Sequence, residues 1–262
     1  MGARSQRLYA LMGALAACGG ALAADYVRLP GTRFDSVLPQ DVTPVSVTIA
    51  PFELRVTPVT VDEYLRFVQS HAPWQRDRIP VVFANRRYLA AWPAPLQPSA
   101  AQPRAAPVTE VSWFAAQAYC AIEGARLPTW LEWEYAAAAD ASRADARDDP
   151  LWRRRILSWY ERPSAAALPA VGGEANVHGV RDLHGLVWEW VDDFNALFIS
   201  GDSRTQGDPE RVKFCGAGAI SIVGRDSYAV LMRVALLSSL NAADSTTHLG
   251  FRCARALKEA PP

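Results

Sequence analysis

The chain has 262 residues, half of them hydrophobic and a tenth aromatic, enough to bury a sizeable core in one large domain or two small ones. Lys plus Arg equals Asp plus Glu at 27 each, so the formal net charge is zero. That excludes bulk nucleic-acid binding, which needs a basic surplus to displace counterions, and leaves only a local patch open.

The N-terminus reads as a leader rather than as part of the fold. "MGARSQR" carries two arginines and no acid, and the apolar run at 8–17 is too short to span a bilayer but suits a signal-peptide core. Two processing sites compete: "ALA" at 21–23 is a small-x-small cleavage site, whereas "LAAC" at 15–18 resembles a lipobox in which Cys18 is lipidated. Both export the chain, and nothing later reads as a transmembrane helix. With an Ala/Arg/Pro-rich bacterial composition, the expected compartment is the periplasm. The expected organisation is a leader over 1–23, one domain over 24–257 and a tail over 258–262. Without Cys18, three cysteines remain, Cys120, Cys215 and Cys253; in an oxidising compartment two of them are expected to pair and one to be left over.

From Tyr26 the pattern is short strands and turns. "YVRLPGTRF" contains a Pro-Gly turn, and "VSVTIAPFELRV" at 45–56 alternates as a strand does. "TVDEYLRFV" opens with Thr60 and has Glu63 three residues on, a capping box, while Val61, Tyr64, Leu65 and Val68 fall on one helical face. The proline- and arginine-bearing stretch 71–107 reads as a long irregular excursion. "VSWFAAQAYCAIEG" predicts a second helix, capped by Ser112 and ended by Gly124, with Trp113, Ala116 and Cys120 on its buried face. "TWLEWEYAAAAD" predicts a third, with Thr129 and Glu132 as another capping box. Residues 143–155, "RADARDDPLWRRR", mix both charge signs and read as a solvated loop or helix. After Leu168 the chain returns to Gly-rich turns and short strands. An α+β single domain with much irregular structure is the expectation, its loops held by side-chain anchors such as the nine tryptophans.

Four motifs then fall into one order: "PVTVDEYLRFV", "PVTEVSWFAAQAYCAIEGARLPTWLEWEYAA", "GVRDLHGLVWEWVDDF" and "LGFRCAR". Together they resemble the sulfatase-modifying-factor family, typified by the formylglycine-generating enzyme, over nearly the whole chain from Tyr26 to Ala256. The resemblance implies a compact α+β domain related to C-type lectin folds and poor in regular secondary structure. It also implies a disulfide between Cys120 and Cys253, leaving Cys215 as the free thiol. "DLHGLVWEW" corresponds to a family segment that is mainly structural and helps to hold calcium. Glu189 is kept there as the candidate calcium ligand, but Leu186 stands where the family has an Asn, so one oxygen donor is lost.

The family's catalytic strip holds copper(I) between two thiolates, a soft two-coordinate site. Here the strip reads "GRDSYAVLMR", 224–233, in which "DSY" and Arg233 match the family while Gly224 and Ala229 occupy its two cysteine positions. Leu237 stands where the family tends to place another Arg. Copper at that site is therefore not expected, no catalytic residue is assigned, and Asp226, Ser227, Tyr228 and Arg233 remain as a candidate polar groove. His71, His178, His184 and His248 include no pair at local metal-binding spacing. No nucleophile elbow, P-loop or dinucleotide fingerprint is present. The resemblance thus points to an exported, non-catalytic accessory or maturation factor that binds another periplasmic protein, such as a copper or redox enzyme. The alternative is an oxidoreductase of the same family whose chemistry does not use the cysteine pair.

Overall fold

A computed structural model describes residues 24–37, 46–160, 167–197 and 228–257. Cys18, Cys215, Gly224, Asp226, Ser227 and the tail 258–262 lie outside the described residues.

The first element is a ribbon. β1 (Tyr26–Leu29) pairs antiparallel with β4 (Phe52–Arg55), and β2 (Thr32–Asp35) pairs antiparallel with β3 (Ser46–Ile49). Leu29 faces Phe52 and Thr32 faces Ile49, so one register runs through both pairs. The break between them is where Pro30 and Gly31 stand opposite Ala50 and Pro51, since proline has no N–H for the ladder. The single strand expected over 45–56 is therefore corrected: Pro51 splits it, and β3 and β4 belong to separate sheets. The backbones come so close at this break that a Cβ on Gly31 would lie 2.8 Å from the Ile49 carbonyl oxygen and 2.8 Å from Pro51 Cδ. β7 (Ala254–Ala256) adds to the free edge of β4, giving the order β1-β4-β7.

Helix α1 (Val61–Ser70) carries the expected capping box, with the Thr60 hydroxyl accepting from the Glu63 amide and the Glu63 carboxylate accepting from the Thr60 amide. Val61, Tyr64, Leu65 and Val68 are buried, and Phe67 joins them. α2 (Trp113–Ile122) starts at Ser112, whose hydroxyl accepts from the Ala115 amide, and is followed by Gly124 at φ +66°, the left-handed geometry glycine tolerates. Ala116 and Cys120 are buried as expected; Trp113 is only half-buried and donates its indole N–H to the Val191 carbonyl (3.0 Å). α3 (Trp130–Ala137) has the Thr129–Glu132 box and is buried on almost every side. Between α1 and α2, residues 71–107 are irregular apart from a 3-10 turn at Ala72–Trp74.

In the mixed-charge stretch, Arg143 pairs with Asp140 and Asp149 in a loop, and α4 (Pro150–Tyr160) follows. α4 is less solvated than its charges suggest, because Trp152 and Ile156 close a small satellite core with Ala146. Two short strands, β5 (Trp188–Glu189) and β6 (Leu249–Gly250), pair in parallel. A fifth helix, α5 (Tyr228–Ser238), stands where turns and strands were expected. Its sequence, YAVLMRVALLS, is rich in Ala, Leu and Met, which favour helix, and the α-helical repeat puts Arg233, Val234 and Leu237 inside. The architecture is α+β, with helices packed around small sheets and one main core. No helix among the described residues is long and apolar enough to cross a membrane.

Candidate functional site

The centre of the molecule is a buried ion pair. Glu189 and Arg252 are both fully buried. Arg252 Nε donates to Glu189 Oε2 and Nη2 to Oε1, each at 2.8 Å. Its remaining donors reach the carbonyls of Arg55 (3.1 Å), Val56 (3.1 Å) and Arg181 (2.9 Å), so one guanidinium ties the end of β4 and the turn at Arg181 to β5. Trp133 adds its indole N–H to Glu189 Oε2 at 2.9 Å. Glu189, the candidate calcium ligand, therefore lies inside a network of the protein's own donors. Its carboxylate is engaged on both oxygens by an internal cation and an indole, and Leu186 beside it has no side-chain oxygen.

Arg233 belongs to the same centre. It is 1% exposed, its guanidinium carbon lies 3.5 Å from the Trp133 ring centroid, and it donates to the Glu189 carbonyl. Of the candidate polar groove, Arg233 is the one member whose side chain is among the described residues, and it is buried. The reason is helical periodicity: in α5 it projects on the same inner face as Val234 and Leu237. Tyr228 and Ala229 lie in the first turn of α5.

His184, from the same "DLHGLVWEW" segment as Glu189, sits among three tryptophans, with ring centroids 5.8 Å from Trp133, 5.6 Å from Trp152 and 6.1 Å from Trp159. Nε2 donates to the Ala137 carbonyl at 2.8 Å, which fixes the tautomer; Nδ1 is sealed from water and meets no partner among the described residues. Burial pushes its pKa down to about 4. His178 is lowered by the same cause and lies 5.2 Å from Tyr135. The Asp182 carboxylate accepts from the Gly172 (2.7 Å) and Gly173 (3.0 Å) amides while its own backbone takes φ +60°.

Cys120 and Cys253 are joined, with Cα atoms 5.5 Å apart, and both are fully buried. Neither is free as a thiolate, and Gly224 and Ala229 carry no ligand atom in their side chains. The strip therefore lacks the two thiolates of a bis-thiolate copper(I) site.

Sequence reasoning missed the Glu189–Arg252 pair and two other buried polar anchors. Arg55 donates to Tyr119 (3.1 Å) and Glu123 (2.8 Å) and pairs with Glu63. Glu134, its pKa raised by burial, accepts from Ser36, the Val37 amide (2.8 Å) and the Trp130 indole (2.8 Å). The signal was there: single charges set inside aromatic runs, as in "WEW" and "GFRCAR", are charges placed to be buried and paired.

A family model described as the sulfatase-modifying factor enzyme 1-like domain matches residues 17–257. The formylglycine-generating enzyme of Streptomyces coelicolor is 36% identical over 167 residues, covering 56% of this chain and 52% of that one. The chain thus spans about half the length of that relative. A Bos taurus relative described as inactive C-alpha-formylglycine-generating enzyme 2 is 28% identical over 220 residues, 66% of this chain and 72% of its own. Among solved structures, PvdO from Pseudomonas aeruginosa superposes with a TM-score of 0.50 at 19% identity, over 88% of this chain and 94% of that chain.

Proposed function

Since the chain belongs to the sulfatase-modifying factor enzyme 1-like family, we propose that it is an exported, non-catalytic member that binds another exported protein during its maturation or assembly. The observation that carries this reading is a contrast. Among the described residues the core is tightly held, from the Glu189–Arg252–Trp133 centre to the Cys120–Cys253 bond, while the strip has Gly224 and Ala229 in sequence where a bis-thiolate centre needs two cysteines. A relative described as inactive lends the reading support. Export is favoured by the leader-like 1–23 and by a buried disulfide, which forms and persists in oxidising compartments. The client is a periplasmic protein, with copper and redox enzymes the first class to examine.

The test combines activity, metal content and contact. Protein recovered from the periplasm is expected to leave a Cys-x-Pro-x-Arg peptide unconverted by mass, to hold no stoichiometric copper or iron, and to cross-link to a discrete exported protein in intact cells. Conversion of the peptide, or one tightly held copper or iron per chain, overturns the reading in favour of an oxidoreductase. Absence of a discrete adduct removes the client.

A further inference from the structure

One surface feature is used neither by the core nor by the reading above. Residues 80–83, Pro-Val-Val-Phe, form a turn in which the amides of Phe83 (2.9 Å) and Ala84 (3.3 Å) both donate to the Pro80 carbonyl. Both flanks are rooted. The amides of Arg78 and Ile79 donate to the Gln75 carbonyl at 2.9 Å, and the buried Gln75 side chain donates to the Val68 carbonyl at 3.0 Å. On the other side the Asn85 amide donates to the Ala243 carbonyl at 2.8 Å and its side chain reaches Asp244 at 3.2 Å. Phe83 leans on Trp74 and Phe114, with centroids 6.1 and 5.4 Å away.

What this well-held turn presents is apolar. Val81 is 88% exposed, Val82 65% and Phe83 39%. Water-facing turns favour Gly, Pro, Asn, Asp and Ser, each for a conformational or hydrogen-bonding reason that valine lacks. The flanking sequence is also mainly basic. Arg78, Arg86 and Arg87 are exposed around the turn, and residues 78–109 contain four arginines and no acid, in a chain whose net charge is zero. Asp77 is the one acid close by in sequence. Shape selects between partners. A peptide site surrounds its ligand in a groove or pocket; Val81 projects, with almost nothing around it. An exposed apolar tip with exposed arginines on both of its sequence flanks matches a soft apolar layer under an anionic surface.

We propose that the turn at 80–83 inserts into the surface of an anionic phospholipid bilayer, with Arg78, Arg86 and Arg87 at the depth of the headgroup phosphates. The proposal is independent of the accessory reading and of the leader.

The test uses the full chain with a photoreactive amino acid at position 82, and the same amino acid at Leu151, which is 67% exposed on α4, as the control. Vesicles contain phosphatidylcholine alone or with phosphatidylglycerol. Both probes share the same leader, so only their difference reports on the turn. Phospholipid adducts are expected at position 82, well above position 151, and only with phosphatidylglycerol present. Arg86→Gln with Arg87→Gln is expected to lower the adduct yield about 25-fold, from roughly fivefold per arginine. Both changes are on exposed side chains, so circular dichroism should stay unchanged. Equal lipid labelling at 82 and 151, or labelling insensitive to phosphatidylglycerol, overturns the proposal. So does a dominant covalent dimer or an adduct to another polypeptide, which assigns the turn to a protein partner instead.

Discussion

Arg252 satisfies Glu189 and three backbone carbonyls from a fully buried position, so deleting it strands a charge in the core. Removing one partner of a buried pair costs about 3–5 kcal/mol, whereas replacing both by apolar groups of similar size costs less. Arg252→Met is therefore expected to lose that much in urea unfolding. Adding Glu189→Leu to it should recover part of the loss, and a double variant weaker than the single would refute an electrostatic origin. His184 gives a pH signature. Its folded pKa near 4 lies below the ordinary 6.5, because burial and the charges of Arg233, Arg155 and Arg252 disfavour the imidazolium. The unfolded chain therefore binds the proton first. Stability from this group is intact above about pH 6.5, falls as the pH drops toward 4, and levels off below, a loss of up to about 3 kcal/mol. The difference between wild-type and His184→Gln unfolding curves across that window measures it; parallel curves would mean that the ring titrates normally.

At the scale of elements, what was legible and what was not divide by mechanism. Helices α1, α2 and α3 announce themselves through Thr60, Ser112 and Thr129, because capping is a local bargain between a hydroxyl and the next free amides. α5 has only generic helix formers and no capping signal among its described residues, so its propensity is confirmed only by the packing of Arg233, Val234 and Leu237. The ribbon was half legible: its alternation shows in the sequence, but its division at Pro51 also depends on pairing with Pro30, 51 − 30 = 21 residues earlier in the chain. Gly31 marks that junction. Since a Cβ there meets backbone and a proline ring, Gly31→Ala is expected to destabilise by about 1–3 kcal/mol, the usual cost of overpacking. A thermal melt at wild-type temperature would show that the two backbones separate freely.

For the whole molecule, the organising feature is the C-terminal segment 249–256. β6 pairs with β5, β7 pairs with β4, the Phe251 carbonyl accepts from Val59, the Cys253 carbonyl from Arg55, and Ala254 exchanges hydrogen bonds with Arg126. A chain with so few ladders is held together by this late segment reaching back to early ones, which is why the site's central pair was invisible: Glu189 and Arg252 are neighbours only once that segment is in place. The Cys120–Cys253 bond fastens it to α2 across 133 residues. By chain entropy such a loop contributes up to about 5 kcal/mol, with about 2–5 typical of natural bonds. Both sulfurs lie in the core, so Cys120→Ala with Cys253→Ala also loses packing. The double variant is expected to unfold at least about 2 kcal/mol earlier in urea. It should also lose protection from hydrogen exchange first at β7, the strand the bond holds closest. If β7 stays as protected as in the wild type while stability falls, the bond acts only on the unfolded chain, and the C-terminal segment is secured by its strand pairs and by Arg252.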